Sequence, residues 1–187
     1  MIHLLLVINN LSDSVNQLKN MLDDINIDFQ IKSYDSNFSL KEFNSIIISG
    51  RSKYSKLTNK INSDLIKLAI KDNLPVLGIC YGAEILALNL NCTLKRMVKP
   101  LNEIVKISIN IPNSLTNPYD ELNMYCKRAF EIFRLSKIVN SYSSSMFSDN
   151  EIIKHVNYNM FGLQFHPELS GSIGKHIINN FINIVKK

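Results

Sequence analysis

Val76–Leu88 reads VLGICYGAEILAL. A short apolar run stops at Cys80, a helical pattern begins after it, and Gly78 and Gly82 flank the cysteine symmetrically. Only six glycines occur in the whole chain. Two of them around one residue mark a corner where strand and helix pass too closely for side chains. A cysteine there stands in strained backbone, and Gly-x-Cys-x-Gly between strand and helix is the thiol form of a nucleophile elbow. The start of the helix favours a thiolate, and the Tyr81 N–H points toward an oxyanion formed on attack. Taken alone, GICYG also accommodates a buried structural cysteine between two packing glycines.

Outward from this corner, the chain alternates strands and helices. His3–Ile8 is a short apolar run bounded by Asn-Asn and Ser-Asp-Ser turn signals, which predicts a buried strand. Val15, Leu18, Leu22 and Ile25 recur at helical spacing after it, with Ser12 or Asp13 as N-cap. Ile27–Ser33 alternates like a half-exposed strand, and SIIIS at Ser45–Ser49 reads as a buried one ending at Gly50. Asn59–Lys71 carries Ile61, Leu65, Leu68 and Ala69 on one helical face, and the chain returns to the strand that ends at Cys80. This alternation predicts an α/β fold of flavodoxin-like or Rossmann-like type, a mostly parallel sheet with helices on both faces. Ligand sites in such a fold lie at the carboxyl ends of the strands, where Gly50 and Cys80 both fall. Asn102–Ile111 alternates as a strand, 112–150 reads as short strands with a turn near NSLTNPYDE, and Ile173, Ile177, Phe181 and Val185 predict a closing helix over Ser172–Val185.

The composition fits this picture. A length of 187 residues, 45% hydrophobic and 20% charged, suits one globular domain spanning 1–187, large enough to bury roughly 70% of its unfolded surface. The net charge of +5 is dispersed rather than blocked, which favours a solvated surface over a nucleic-acid stripe. MIHLLLVINN is too short in its apolar part for a membrane span and lacks a basic leader, so a cytoplasmic location with no membrane partner is expected. Cys80, Cys92 and Cys126 have neither the even count nor the CxxC spacing of a disulfide framework or a zinc site, and no metal is expected.

A nucleophilic thiol needs a base, and one of the four histidines has suitable company. GLQFHPEL, Gly162–Leu169, places His166 after a short apolar strand, before a proline, with Glu168 two residues on. The proline stiffens the turn, so the carboxylate can orient an imidazole that takes the thiol proton and later returns it to a leaving group. His3 falls inside a strand and His176 on the last helix, where packing and solvation account for them.

LGICYG followed far downstream by QFHPE resembles the class I glutamine amidotransferases, and the resemblance runs from SIIISG through the last helix. It implies a triad of Cys80, His166 and Glu168. It implies hydrolysis of L-glutamine to glutamate and ammonia through a γ-glutamyl thioester, with ammonia passed to a synthetase. Tyr81 after the nucleophile resembles the glutaminases of GMP synthases. A chain of this length has no room for an ATP-pyrophosphatase domain, so the resemblance implies a separate synthetase subunit that carries the ATP and magnesium and aminates XMP, with no cofactor in this chain.

Three places depart from the family pattern. Arg51 stands where a second glycine of the oxyanion loop is usual; its N–H can still serve if the backbone does not require positive φ, and its side chain either lends charge to the substrate carboxylate or stands solvated. Ala83 and Glu84 replace the usual His-Gln. An ionised Glu84 accepts a hydrogen bond but cannot donate one, unless it serves only to complement the start of its helix. VNSYSSSMFS lacks the histidine common near the substrate, leaving Asn140 and Ser141 as candidate contacts. Two alternatives follow from these departures: a stand-alone γ-glutamyl hydrolase, and an inactive amidotransferase-like module that regulates a partner.

Overall fold

In a computed structural model that describes residues 3–186, nine strands form one sheet. In chain order they are β1 (Leu4–Asn9), β2 (Asp28–Ser33), β3 (Ser45–Ile48), β4 (Val76–Ile79), β5 (Leu94–Ile109), β6 (Glu121–Ile132), β7 (Val139–Ser144), β8 (Ile152–His155) and β9 (Met160–Leu163). The helices are α1 (Val15–Ile25), α2 (Lys56–Lys71), α3 (Tyr81–Asn89) and α4 (Gly171–Val185). The spatial order is β2-β1-β3-β4-β9-β8-β7-β5-β6.

The expectation of a mostly parallel sheet is corrected here. Four pairings are parallel, joining β2, β1, β3, β4 and β9; the other four, from β9 through β8, β7 and β5 to β6, are antiparallel. The reason is connection length. A parallel return needs a crossover of a dozen residues or more, whereas β8 and β9 are joined directly through 156–159 and β7 and β8 through 145–151.

Strand alternation divides the core into two layers. Leu5, Val7, Ile47, Leu77 and Phe161 face α1 and α4, meeting Leu18, Leu22, Ile177 and Phe181. Leu6, Ile8, Ile46, Ile48 and Val76 face the other way, onto Leu65, Ile66 and Ala69 of α2 and Ile85 and Leu86 of α3. Helices therefore cover both faces, as the sequence predicts. The 112–150 stretch holds more regular structure than its sequence suggests, because the twelve-residue β6 within it pairs as a hairpin with β5 before it. Leu122, Met124, Cys126 and Arg128 all point inward from β6; a charged residue in an inward position hides the alternation.

β6 is an edge strand, four places from β9 in the sheet order. Even so, the Tyr125 carbonyl accepts a hydrogen bond at 2.8 Å from the His166 N–H, just beyond β9. The sheet must curl to make this contact, and the curl brings β6 over the carboxyl ends of β3, β4 and β9. Among the described residues no helix is long and apolar enough to cross a membrane.

Candidate active site

Cys80 occupies the N-cap position of α3 with φ 51° and ψ −106°, a conformation that costs a non-glycine residue about 1–3 kcal/mol. Its N–H is held by the Leu163 carbonyl at 2.8 Å, so β9 fixes the corner. The flanking glycines are sterically required. A Cβ on Gly78 would run into the backbone of Gly82, and one on Gly82 would run into the Ile48 carbonyl of β3. Strand, elbow and helix thus pack backbone to backbone.

His166 and Glu168 follow β9 on a short turn that includes the 3-10 segment Pro167–Leu169. Both are buried, at 7% exposure each. Glu168 Oε1 contacts His166 Nδ1 at 2.8 Å and also accepts from Ser14 Oγ at 2.6 Å. Ser14, not Ser12 or Asp13, holds the N-cap position of α1, yet it makes no side-chain cap there because its hydroxyl is taken by the carboxylate. Tyr125 O holds the His166 backbone, and the Tyr125 ring lies 6.1 Å from the imidazole.

The other imidazole nitrogen, Nε2, is buried without a hydrogen-bond partner. Cys80 Sγ meanwhile donates to the Lys127 carbonyl of β6 at 3.4 Å. Burial works to lower the His166 pKa, but the Cys80 and Glu168 side chains outweigh it and lift it to about 10. Gly50 closes the third side: a Cβ there would lie 3.2 Å from His166 Cε1 and 3.8 Å from Cys80 Cβ. Cys80, His166, Glu168 and Gly50 are therefore gathered at one place. Arg51 next to Gly50 is not among the positive-φ residues, so its N–H remains available without glycine-like backbone.

Two clefts flank the thiol. One of about 400 Å³ is lined by Cys80, Tyr81, Glu84, Leu101, Arg51 and Arg128. The other, about 170 Å³, lies beside His166, Ser14 and Tyr125, and both share Arg51 and Lys127. A cavity of about 550 Å³ opens elsewhere, beside Ile27 and Asn44, but it contains no nucleophile. The Arg51 guanidinium lies 3.9 Å from the Tyr81 ring centroid and donates to Asn59 Oδ1 at 2.6 Å. Asn59 Oδ1 also accepts from the Tyr81 hydroxyl at 3.1 Å, and burial pushes that phenol up to about 12 against the pull of Arg51. Glu84 is raised to about 7 by burial, opposed by Arg51 and Arg128.

Asn140 and Ser141 are not brought to this place. They lie on β7, where Asn140 pairs with Lys154 and the Ser141 hydroxyl donates to the Asp149 carbonyl at 2.7 Å, and they line neither cleft. The sequence reading missed Ser14, Tyr125, Lys127 and Arg128. Two of these act through backbone carbonyls, which leave no residue signature. Arg128 does carry one: it is a cation inside an alternating strand, and it forms a bidentate pair with Glu151 at 2.6 and 2.7 Å, both side chains almost fully buried. Burial opposes the Arg128 charge, but Glu151 raises its pKa overall. Among the described residues no group of three His, Cys, Asp or Glu side chains is placed to hold a metal ion.

Comparison with known proteins identifies the family over nearly the whole chain. Residues 6–185 match the family model for glutamine amidotransferase class-I. The chain is 26% identical over 187 residues to the A subunit of the glutamine-hydrolyzing GMP synthase of Methanococcus vannielii, covering 97% of this chain and 96% of that protein. It is 30% identical over 142 residues to the counterpart from Methanococcus maripaludis, covering 75% and 72%. A crystal structure from Thermoplasma acidophilum shares the fold with a TM-score of 0.90 at 22% identity, covering 100% of this chain and 95% of that one. With the elbow, the His-Pro-Glu turn and the family match all falling on the same chain, this protein belongs to the class I glutamine amidotransferases.

Proposed function

We propose that this chain, as a single amidotransferase domain, is the glutaminase subunit of a two-subunit GMP synthase. The observation that carries the reading is the state of His166: Nδ1 on Glu168, Nε2 buried and unpartnered beside a strained cysteine. Lifted to about 10, that Nε2 holds the proton from Cys80 as Sγ attacks the γ-carboxamide carbon of glutamine. The N–H groups of Tyr81 and of Gly50 or Arg51 receive the oxyanion. The imidazolium then protonates the departing nitrogen, ammonia leaves, and a γ-glutamyl thioester remains on Cys80. Water, deprotonated by His166, attacks the thioester; glutamate leaves and the thiol is restored. Glu168, steadied by Ser14, holds the imidazole in the tautomer this sequence needs.

Assignment to GMP synthesis draws on the near full-length similarity to the A subunits of GMP synthases. Under this reading glutamine is the only substrate bound here, and a separate ATP-pyrophosphatase subunit supplies ATP, magnesium and XMP. The test is ammonia release from glutamine by the protein alone and with that synthetase, together with GMP formation from XMP. Glutamine-dependent GMP formation that stops in Cys80→Ala is expected. Intact ammonia-dependent synthesis with no glutamine-dependent synthesis would overturn the assignment.

A further inference from the structure

The proposed mechanism needs backbone N–H donors at fixed places beside Cys80, and the fold hangs them on separate elements. Tyr81 opens α3, whereas Gly50 and Arg51 lie in the loop between β3 and α2. That loop, 49–55, contains no helix or strand, and Arg51 stands in it where a second glycine is usual. The Arg51 side chain turns back onto the elbow. Its guanidinium lies over the Tyr81 ring at 3.9 Å, with the Tyr54 ring at 5.0 Å, and donates to Asn59 Oδ1 at 2.6 Å. The same oxygen accepts from the Tyr81 hydroxyl at 3.1 Å. Both lone pairs of one amide oxygen are thereby taken up by the two side chains. Burial pushes the Tyr81 phenol up to about 12, so its hydroxyl stays protonated and donates. Asn59 is itself anchored, with its N–H on the Ser55 carbonyl at 3.2 Å in the capped first turn of α2. A second path from the same helix reaches the start of the loop. Asn62 Nδ2 donates to Asn10 Oδ1 at 2.7 Å, Asn10 Nδ2 donates to the Ser49 carbonyl at 3.1 Å, and Ser49 Oγ donates to the Gly50 carbonyl at 2.9 Å.

We infer that Asn59 is a positioning residue for the oxyanion site, its amide oxygen joining the side chains of Arg51 and Tyr81 so that the loop donor and the elbow donor keep fixed places beside Cys80, a role that rests on the thioester chemistry proposed there. Arg51 does not adopt positive φ, so the loop lacks a glycine's backbone at this point and a side-chain tie holds it instead. The hold matters because oxyanion donors act by being preorganised. Losing one costs about 10²–10³ in kcat, and a donor displaced by about 0.5 Å forfeits part of that. Asn59 lines neither of the two clefts beside the thiol. It therefore acts through Arg51 and Tyr81, and its loss falls on turnover rather than on glutamine binding.

The test is glutaminase kinetics of the full chain with the synthetase subunit present, read beside the rate of Cys80 alkylation by iodoacetamide, which needs the thiolate but no oxyanion donor. Asn59→Ala, Tyr81→Phe and Arg51→Met, the last two of which keep their backbone N–H, are each expected to lower kcat about 30-fold with KM and alkylation within about twofold. Asn59→Ala and Tyr81→Phe cut one tie, so the double variant should fall no more than about threefold below either single one. Asn59→Asp keeps an oxygen acceptor for both donors and should recover kcat to within about threefold of wild type. Tyr81→Phe, which removes a single hydroxyl, keeps the comparison readable should Asn59→Ala fail to fold. An unchanged kcat, a change confined to KM, losses that multiply in the double variant, or alkylation that falls in step with kcat overturns the positioning role, while wild-type turnover still upholds the chemistry at Cys80. A wild type that releases no ammonia from glutamine, with or without the synthetase, overturns that chemistry and the positioning role with it.

Discussion

The five parallel strands and the four-strand antiparallel remainder of the sheet contribute to the site in different ways. The parallel half supplies the residues gathered at the candidate site from strand ends: Gly50 after β3, Cys80 after β4, and His166 and Glu168 after β9. The antiparallel half supplies mainly backbone, with the carbonyls of Tyr125 and Lys127 holding His166 and Cys80. It also carries the buried Arg128–Glu151 pair, which ties β6 to the segment between β7 and β8. The lesson is a division of labour, in which one half places the chemistry and the other clamps it.

Removing the Cys80 thiol should have the largest effect and leave the clamp intact. Cys80→Ala is expected to lower glutaminase turnover by about 10⁴-fold or more while the fold persists. In the same variant the His166 titration, followed by NMR, should move down, because Cys80 is a principal cause of its elevation to about 10. With its folded pKa above the ordinary 6.5, His166 contributes stability that is fully present below pH 6.5 and lost as pH rises through about 10. An unchanged titration would detach the histidine from the cysteine.

Breaking the clamp should do the reverse, damaging stability first. Glu151→Ala leaves a buried guanidinium unpaired and is expected to cost about 3–5 kcal/mol in urea denaturation. A cost below about 1 kcal/mol would mean that β6 is held by the hairpin alone.

Glu84 lies at the boundary of the two halves. Its carboxyl is raised from 4.5 to about 7, so its contribution to stability is complete below pH 4.5 and disappears as pH rises through about 7. Glu84→Gln should therefore stabilise the protein at pH 9 by about 2 kcal/mol and have little effect at pH 5, read as the difference in denaturation midpoints. The same gain at both pH values would argue against a titrating carboxyl.

The smallest expected effect concerns a hydroxyl reaching across the parallel half. Ser14→Ala removes one hydrogen bond to Glu168 and should reduce kcat about tenfold with KM nearly unchanged, with Ser14→Thr restoring most of it. A change confined to thermal stability would reduce Ser14 to a packing residue.

Much of the parallel half was legible in the sequence because its signals are local. Apolar runs of four residues bounded by turns, helical spacing in α1, α2 and α4, and two glycines around Cys80 each report on a few neighbouring residues. The mixed character of the sheet was not legible, since strand direction depends on which strands pair. Arg128 at an inward position of β6 also concealed its alternation.

For the site, sequence alone determined the elbow at Cys80 and the His166–Glu168 turn, because close backbone approach demands glycine and a proline stiffens the chain regardless of what surrounds them. Tertiary structure decided the rest. It brought Ser14 to Glu168 across 154 residues and curled β6 until its carbonyls met the thiol and the histidine. It left Asn140 and Ser141 on a strand away from the clefts and set Arg51 and Glu84 on one wall. These are relations between segments distant in the chain, fixed by how the sheet curls and what the two core layers bury, and no local spacing encodes them.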